Sequence, residues 1–200
     1  MDARTQKSEL TRAAIVGAAL DLASSDGLEA ITLQAVADRI DLSKSGVFSR
    51  VGSREALQKA VVEEFGRRFI GDVFVPAMQL PKGLPRLDDI MQRWIVRTRD
   101  VDSHTACIFS AGAFEFDDRE GPLRDLLHTE VTRWRAALRR TVIQAVEEGH
   151  LKADTDPEQL VGEIYGLILG LVHDVRFLRD GRAAERTRAS WQRLLATYRP

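Results

Sequence analysis

The side chains that could do chemistry fall into three groups. The first is a run of short polar and cationic residues, Ser43-Lys44-Ser45-Gly46-Val47-Phe48-Ser49-Arg50, followed closely by Arg54. Serine, lysine and arginine donate to phosphate oxygens and base edges, and a glycine such as Gly46 permits close backbone approach. No acid interrupts the stretch between Asp41 and Glu55, so it forms a local positive patch. The second group is His104, His128, His150 and His173 with the single cysteine, Cys107. His104 and Cys107 are three apart and would share a helix face, but no second pair at ligand spacing follows. A tetrahedral site needs four ligands, or three and a water, so neither metal nor cofactor is expected. The third group is a concentration of aromatics: Phe65, Phe69, Phe74, Trp94, Phe109, Phe114, Phe116, Trp134, Tyr165 and Phe177. Such rings either pack a core or line an apolar ligand cavity. No nucleophile elbow, phosphate-binding glycine loop or HExxH is present. No catalytic residue is therefore expected, and Cys107, in an apolar stretch without a basic neighbour, reads as a buried thiol.

These groups need elements to hold them. Two hundred residues suffice for one large domain, or for a small one and a larger one. With 44% hydrophobic and 30% charged residues the composition is globular and excludes a disordered chain. Lys and Arg number 29 against 30 Asp and Glu, so no global field draws the molecule to a polyanion, and a nucleic-acid contact must use a local patch. The apolar run Ile164 to Val172 is broken by glycines and is far shorter than the roughly 18 residues of a membrane helix. Met1 to Gln6 is followed by no apolar stretch, so no signal peptide is expected. A lone cysteine suits a reducing cytoplasm.

Apolar residues recur at three and four almost throughout, which predicts an all-α fold. A first helix is expected over about 8–24, stopped by Ser25-Asp26-Gly27 with glycine available for a left-handed position. Thr32 reads as an N-cap for a short helix from Leu33 to Asp38 or Ile40, and Ser43 as the cap of another from Lys44 to about Arg50. Val47 and Val51 would face the core. Ser53 opens a longer helix carrying Leu57, Val61, Val62, Phe65 and Phe69. The segment 71–85, rich in proline and glycine, is expected to bend or loop. Further helices are expected at about 86–101, 106–117, 122–148, 157–179 and 182–198, with Pro122 and Pro157 in first turns and Gly149 as a stop.

Three short helices in the first 52 residues, the last two joined by a tight turn, suggest a helix-turn-helix; an ordinary three-helix bundle is the alternative. A helix of two turns fits the major groove while its predecessor braces it. Residues 1–52 would form this head and 53–200 a helical body. On the body, Gly162, Gly166 and Gly170 recur by four among Leu160, Val161, Ile164, Leu167, Ile168 and Leu171. Each helical glycine costs about 1 kcal/mol against alanine, so another backbone should approach that face, from this chain or from a second one.

The text Thr11-Arg-Ala-Ala-Ile-Val-Gly-Ala-Ala-Leu20, then Asp26-Gly27-Leu28, Thr32 to Ala37, Ser43 to Phe48 and Gly52-Ser-Arg-Glu-Ala-Leu57 resembles, in order and spacing, the N-terminal domain of TetR-family transcriptional regulators. The stretch Ala106 to Asp125 also looks like one subgroup of that family. The resemblance implies a helix-turn-helix head and a larger ligand-binding and dimerisation domain. It places Thr32 and Gln34 at phosphate or base edge, Lys44, Ser45, Gly46 and Ser49 toward the groove, with Phe48 and Arg50 beside them, and Arg54 on a phosphate. This sequence departs from the family at Phe48, where a tyrosine is usual, at Ser49-Arg50-Val51, where His-Phe is usual, and at Asp41, where the turn usually has glycine. A left-handed Asp41 remains accessible at some cost.

The resemblance further implies a small-molecule effector, lined here by Trp94, Cys107, Phe114, His128, Val131 and Trp134. It also implies a homodimer formed by the last two helices, with Gly162, Gly166, Leu167, Gly170, Leu171, Trp191, Leu194 and Leu195 at the interface. The expected partners are double-stranded DNA, an effector and a second copy of the chain, with no membrane. Two rival readings stand beside a DNA-binding repressor: a helical protein-interaction module whose head has lost DNA affinity, and an enzyme using the aromatic cluster.

Overall fold

The computed structural model describes residues 3–100 and 107–200, and every regular element among them is helical. They are α1 (Ala3–Asp26), α2 (Leu33–Arg39), α3 (Lys44–Val51), α4 (Arg54–Phe69), α5 (Leu84–Arg99), α6 (Ile108–Glu115), α7 (Pro122–Glu147), α8 (Pro157–Arg176) and α9 (Ala183–Tyr198). A 3-10 turn, Leu28–Ala30, precedes α2. The all-α expectation holds.

The helix starts follow from capping. Thr32 Oγ1 accepts the Ala35 N–H at 3.0 Å, Ser43 Oγ that of Gly46 at 3.0 Å and Ser53 Oγ that of Ala56 at 3.0 Å. Asp156 Oδ1 accepts from Glu158 and Gln159 at 2.8 and 3.3 Å ahead of Pro157. Each side chain satisfies an amide that the helix itself leaves open. Asp41, with φ 53°, makes the left-handed turn between α2 and α3. The stretch after α4 differs from the expected loop: a π turn over Ile70–Phe74 and a last turn, Val75–Ala77, prolong the helix. Phe69, Val73 and Ala77, spaced by four, are all buried; that apolar stripe keeps the chain helical, and the widened turn accommodates Pro76, which lacks an N–H.

The chain separates into two compact units, Met1–Arg67 with His104–Glu130, and Arg68–Ser103 with Val131–Pro200. The first unit thus takes in α4 as far as Arg67, together with α6 and the start of α7. In the first unit Ile15, Leu20, Ile31, Val47, Leu57 and Phe65 are almost fully buried, and Phe109 meets Phe65 edge-on at 4.9 Å. In the second, Ile90, Ile95, Leu138, Ile164, Ile168 and Trp191 form the centre. Trp191 Nε1 donates to Asp88 Oδ1 at 2.7 Å, fixing α9 to α5. Gly83, at φ 87°, opens α5; a Cβ there would lie 2.5 Å from His150 Nδ1 and 3.1 Å from the Ala145 backbone, so only glycine fits.

Candidate nucleic-acid interface

Helix α3 presents two contrasting sides. Val47 is completely buried and Val51 half-buried, whereas Lys44, Ser45, Phe48, Ser49 and Arg50 are exposed. The hydroxyls and guanidinium are folded back on their own helix: Ser43 Oγ lies 3.1 Å from Ser45 Oγ, Ser49 Oγ donates to Gly46 O at 2.9 Å, and Arg50 Nη1 donates to Gly46 O at 3.0 Å and to Ser49 Oγ at 3.3 Å. All these bonds are exposed, so DNA acceptors can replace them at little cost. A Cβ at Gly46 would sit 3.1 Å from Ser43 Oγ, so this glycine also makes room for the capping hydroxyl. Thr32 and Gln34 are exposed at the start of α2, and Gln34 Nε2 donates to Asp38 Oδ1 at 2.7 Å.

Arg54 is tied into the segment before α2. Its Nε donates to Ile31 O at 2.7 Å, its Nη2 to Glu29 O at 2.6 Å, and Nη2 lies 3.3 Å from Glu29 Oε2. Gln58, one turn on and buried, donates to Leu28 O at 2.9 Å. From α6, Glu115 accepts the N–H groups of Leu28 and Glu29 at 2.9 and 2.7 Å. Arg119 Nη1 lies 3.3 Å from Glu29 Oε1. Partial burial pushes the Glu29 carboxyl up, but the hydrogen bond and charge of Arg54, joined by Arg119, outweigh it and hold the carboxyl below its ordinary range. Gln58 and Glu115 escaped the sequence reading. The spacing of Arg54 and Gln58 by four was the only local signal; Glu115 is 87 residues from Leu28.

The residues expected to line an effector cavity fall in both units. Trp94 and Trp134 come together in the second, their rings edge-on at 5.4 Å, and both also meet Phe69, at 5.5 and 4.8 Å. Phe74 adjoins Trp134 and Tyr165 adjoins Trp94. Both tryptophans are 2% exposed, and neither indole N–H has a hydrogen-bond partner. Arg97, paired with Asp72, lies over the Phe69 ring. Val131 belongs to the same unit and is half-buried; Cys107, half-buried, and Phe114 and His128, both exposed, belong to the first.

His150 Nδ1 accepts the Leu84 N–H at 3.3 Å, and His173 stands beside Asp174 and Phe177. His104 lies outside the described residues. Among the described residues no three His, Cys, Asp or Glu side chains cluster in a way that could hold a metal ion.

At the expected interface, Gly162, Gly166 and Gly170 are exposed, and a Cβ added to any of them meets nothing within 4 Å. Gly166, Leu167, Gly170 and Leu171 line a shallow groove of about 400 Å³ together with Ala189, Ser190 and Arg193 of α9. Leu194 is half-buried. Trp191 and Leu195 are turned the other way, 0% and 1% exposed in the core of their own unit, because the Trp191 N–H reaches inward for Asp88.

Residues 83–191 match the family model described as the tetracyclin repressor-like C-terminal domain. The structure is similar to a TetR-family transcriptional regulator from Cytophaga hutchinsonii, 18% identical over 96% of each chain with a TM-score of 0.81. It is also similar to a TetR transcriptional regulator from Chloroflexus aurantiacus, 20% identical over 96% of this chain and 95% of that one, TM-score 0.79. A third similar structure is AibR in complex with isovaleryl coenzyme A and operator DNA, 20% identical over 80% of this chain and 85% of that one, TM-score 0.67. No curated protein sequence matches significantly. With the helix-turn-helix formed by α2 and α3 and the matched C-terminal helices, the chain belongs to the TetR family of DNA-binding transcriptional regulators. No described helix is long and apolar enough to cross a membrane.

Proposed function

We propose that this protein is a homodimeric repressor that binds a pseudo-palindromic operator and is released by a small molecule. The observation that carries the reading is the exposed polar and cationic side of α3, with Lys44 and Arg50 in it and no acid from Leu42 to Arg54. Two such helices enter successive major grooves roughly 34–36 Å apart. Thr32 and Gln34 serve backbone or base edge at the start of α2, and Lys44, Ser45, Gly46 and Ser49 face the groove. Arg54 reaches a phosphate by exchanging its contact with Glu29. The groove between α8 and α9, with its open glycines, supports pairing with a second copy.

For the effector, the reading rests on Trp94, Trp134 and Val131 in the second unit. Two buried, unpartnered indole donors among apolar rings suit an apolar molecule carrying a hydrogen-bond acceptor. AibR, bound to both an acyl coenzyme A and its operator, is consistent with this pairing of ligands. The effector changes DNA affinity only as far as it binds one state of the dimer better than the other.

The test is fluorescence anisotropy with the duplex that flanks the protein's own coding region. Saturable binding that weakens steeply with salt supports the reading. Equal affinity for that duplex and for an unrelated one overturns it, and binding to neither favours the protein-interaction module. Turnover of a bound small molecule would favour an enzyme.

A further inference from the structure

From the surface of α3 we infer that Phe48 reads a thymine, through the 5-methyl group that this base alone presents in the major groove. The inference rests on the DNA-binding reading above and adds a base preference to it. Phe48 is 57% exposed, although Val47 beside it and Val51 below it turn toward the core. A single exposed phenylalanine on an arbitrary surface needs no explanation. This one stands on the same exposed side as Lys44, one helical turn before it, beside the exposed ridge that carries Ser49. The neighbouring groups are all suited to oxygen or nitrogen partners. Phe48 alone offers nothing to a phosphate and nothing to a donor or acceptor on a base edge.

Helix geometry sets where the ring points. Ser45 and Ser49 are four apart and form the ridge opposite Val47 and Val51. Phe48 lies about 100° round from Ser49, on the flank of the helix rather than its crest. A helix seated in the groove turns its crest to the floor and its flanks to the walls. The thymine methyl projects from the floor close to the wall, within reach of a flanking ring. Burying that methyl against Phe48 removes apolar surface on both sides from water. Lys44, four residues earlier on the same side, supplies the phosphate contact that holds the flank against the wall.

The experiment begins by selecting bound duplexes from a randomised library with the full-length protein, then replacing each thymine of the enriched half-site by deoxyuridine, which lacks only the methyl. Anisotropy is read for the unaltered protein and for Phe48→Ala. We expect one thymine position at which deoxyuridine weakens binding by about fourfold per half-site, the factor for one buried methyl-sized group. Phe48→Ala should lose a similar factor on the thymine duplex and show no further loss with deoxyuridine. Phe48→Leu, which keeps an apolar side chain, should retain part of the sensitivity. Thymine-independent binding by the unaltered protein, or undiminished sensitivity in Phe48→Ala, overturns the inference while leaving DNA binding intact. Enrichment of no duplex at all would instead overturn the repressor reading, and this inference with it.

Discussion

Glu115 closes the open end of the turn that begins at Leu28: its Oε2 accepts the Leu28 N–H at 2.9 Å, and its other oxygen takes the next amide at 2.7 Å. Gly27, at φ 90°, brings the amides to the carboxylate, and a Cβ on it would stand 3.1 Å from both carboxylate oxygens. Charge-assisted bonds of this kind contribute roughly 1.5–3 kcal/mol when shielded; part exposure reduces the pair to about 2 kcal/mol in total. Glu115→Ala should therefore lower the melting temperature by about 4–8 °C for a chain of this length. Glu115→Gln, which retains one acceptor oxygen, should lose less. Equal melting of Glu115→Ala and the unaltered protein in calorimetry would contradict the assignment.

The second prediction concerns acid. The Glu29 carboxyl titrates below its ordinary value in the folded protein, lifted by partial burial but drawn down further by Arg54 and Arg119. A lowered folded value means that the unfolded chain takes up the proton first. The stabilisation is therefore complete above the ordinary carboxyl range, and it is lost as the pH falls through the folded value. Glu29→Gln should melt below the unaltered protein at neutral pH, and the gap should narrow steadily below about pH 4.5. A gap that stays constant between pH 7 and pH 3 would mean that the ion pairs with Arg54 and Arg119 contribute nothing.

What the sequence disclosed follows a physical division. Thr32, Ser43 and Ser53 were legible as helix starts because each bonds an amide three residues away, whereas the start at Asp156 was legible only through Pro157. Asp41 was legible as a left-handed residue through the family resemblance, in which glycine is usual at that turn position. The attachment of α6 to the head was not legible, since it depends on Glu115 finding a turn 87 residues earlier. The inward side of Trp191 was equally hidden, because periodicity gives a helix its apolar side but not the neighbour it meets; Asp88 lies 103 residues away. Arg54 looked like a free cation in the sequence and is a clamp on Glu29 and Ile31 in the fold.

That double engagement separates Arg54 from Lys44 experimentally. Lys44 is exposed at the first turn of α3, so Lys44→Ala should leave melting unchanged. If one Lys44 in each subunit meets a phosphate, removing both should weaken binding to all duplexes alike. It should also reduce the slope of log affinity against log salt by about 2. Arg54→Ala should weaken DNA binding as well, but with a lower melting temperature, because the carbonyls of Glu29 and Ile31 lose their donor. If neither substitution alters DNA affinity or its salt slope, α3 does not dock as proposed.

The last prediction tests pairing through the glycines of α8. Three helical glycines together forgo about 3 kcal/mol of helix propensity relative to alanine, and among the described residues none comes close enough to use the room: a Cβ at Gly162, Gly166 or Gly170 meets nothing within 4 Å. A second α8 drawn close to this face would supply the gain, since bare backbone permits an approach that side chains forbid. Gly166→Leu should consequently leave the helical circular dichroism of the single chain intact, yet shift sedimentation from dimer to monomer. Operator binding should fall by at least a hundredfold, because the two half-site contacts are no longer linked. Gly166→Ala discriminates further. It should raise thermal stability at dilutions where the chain is monomeric and lower the dimer's association constant, opposite signs that a surface unrelated to assembly would not give. A Gly166→Leu protein that sediments as a dimer would place the interface elsewhere.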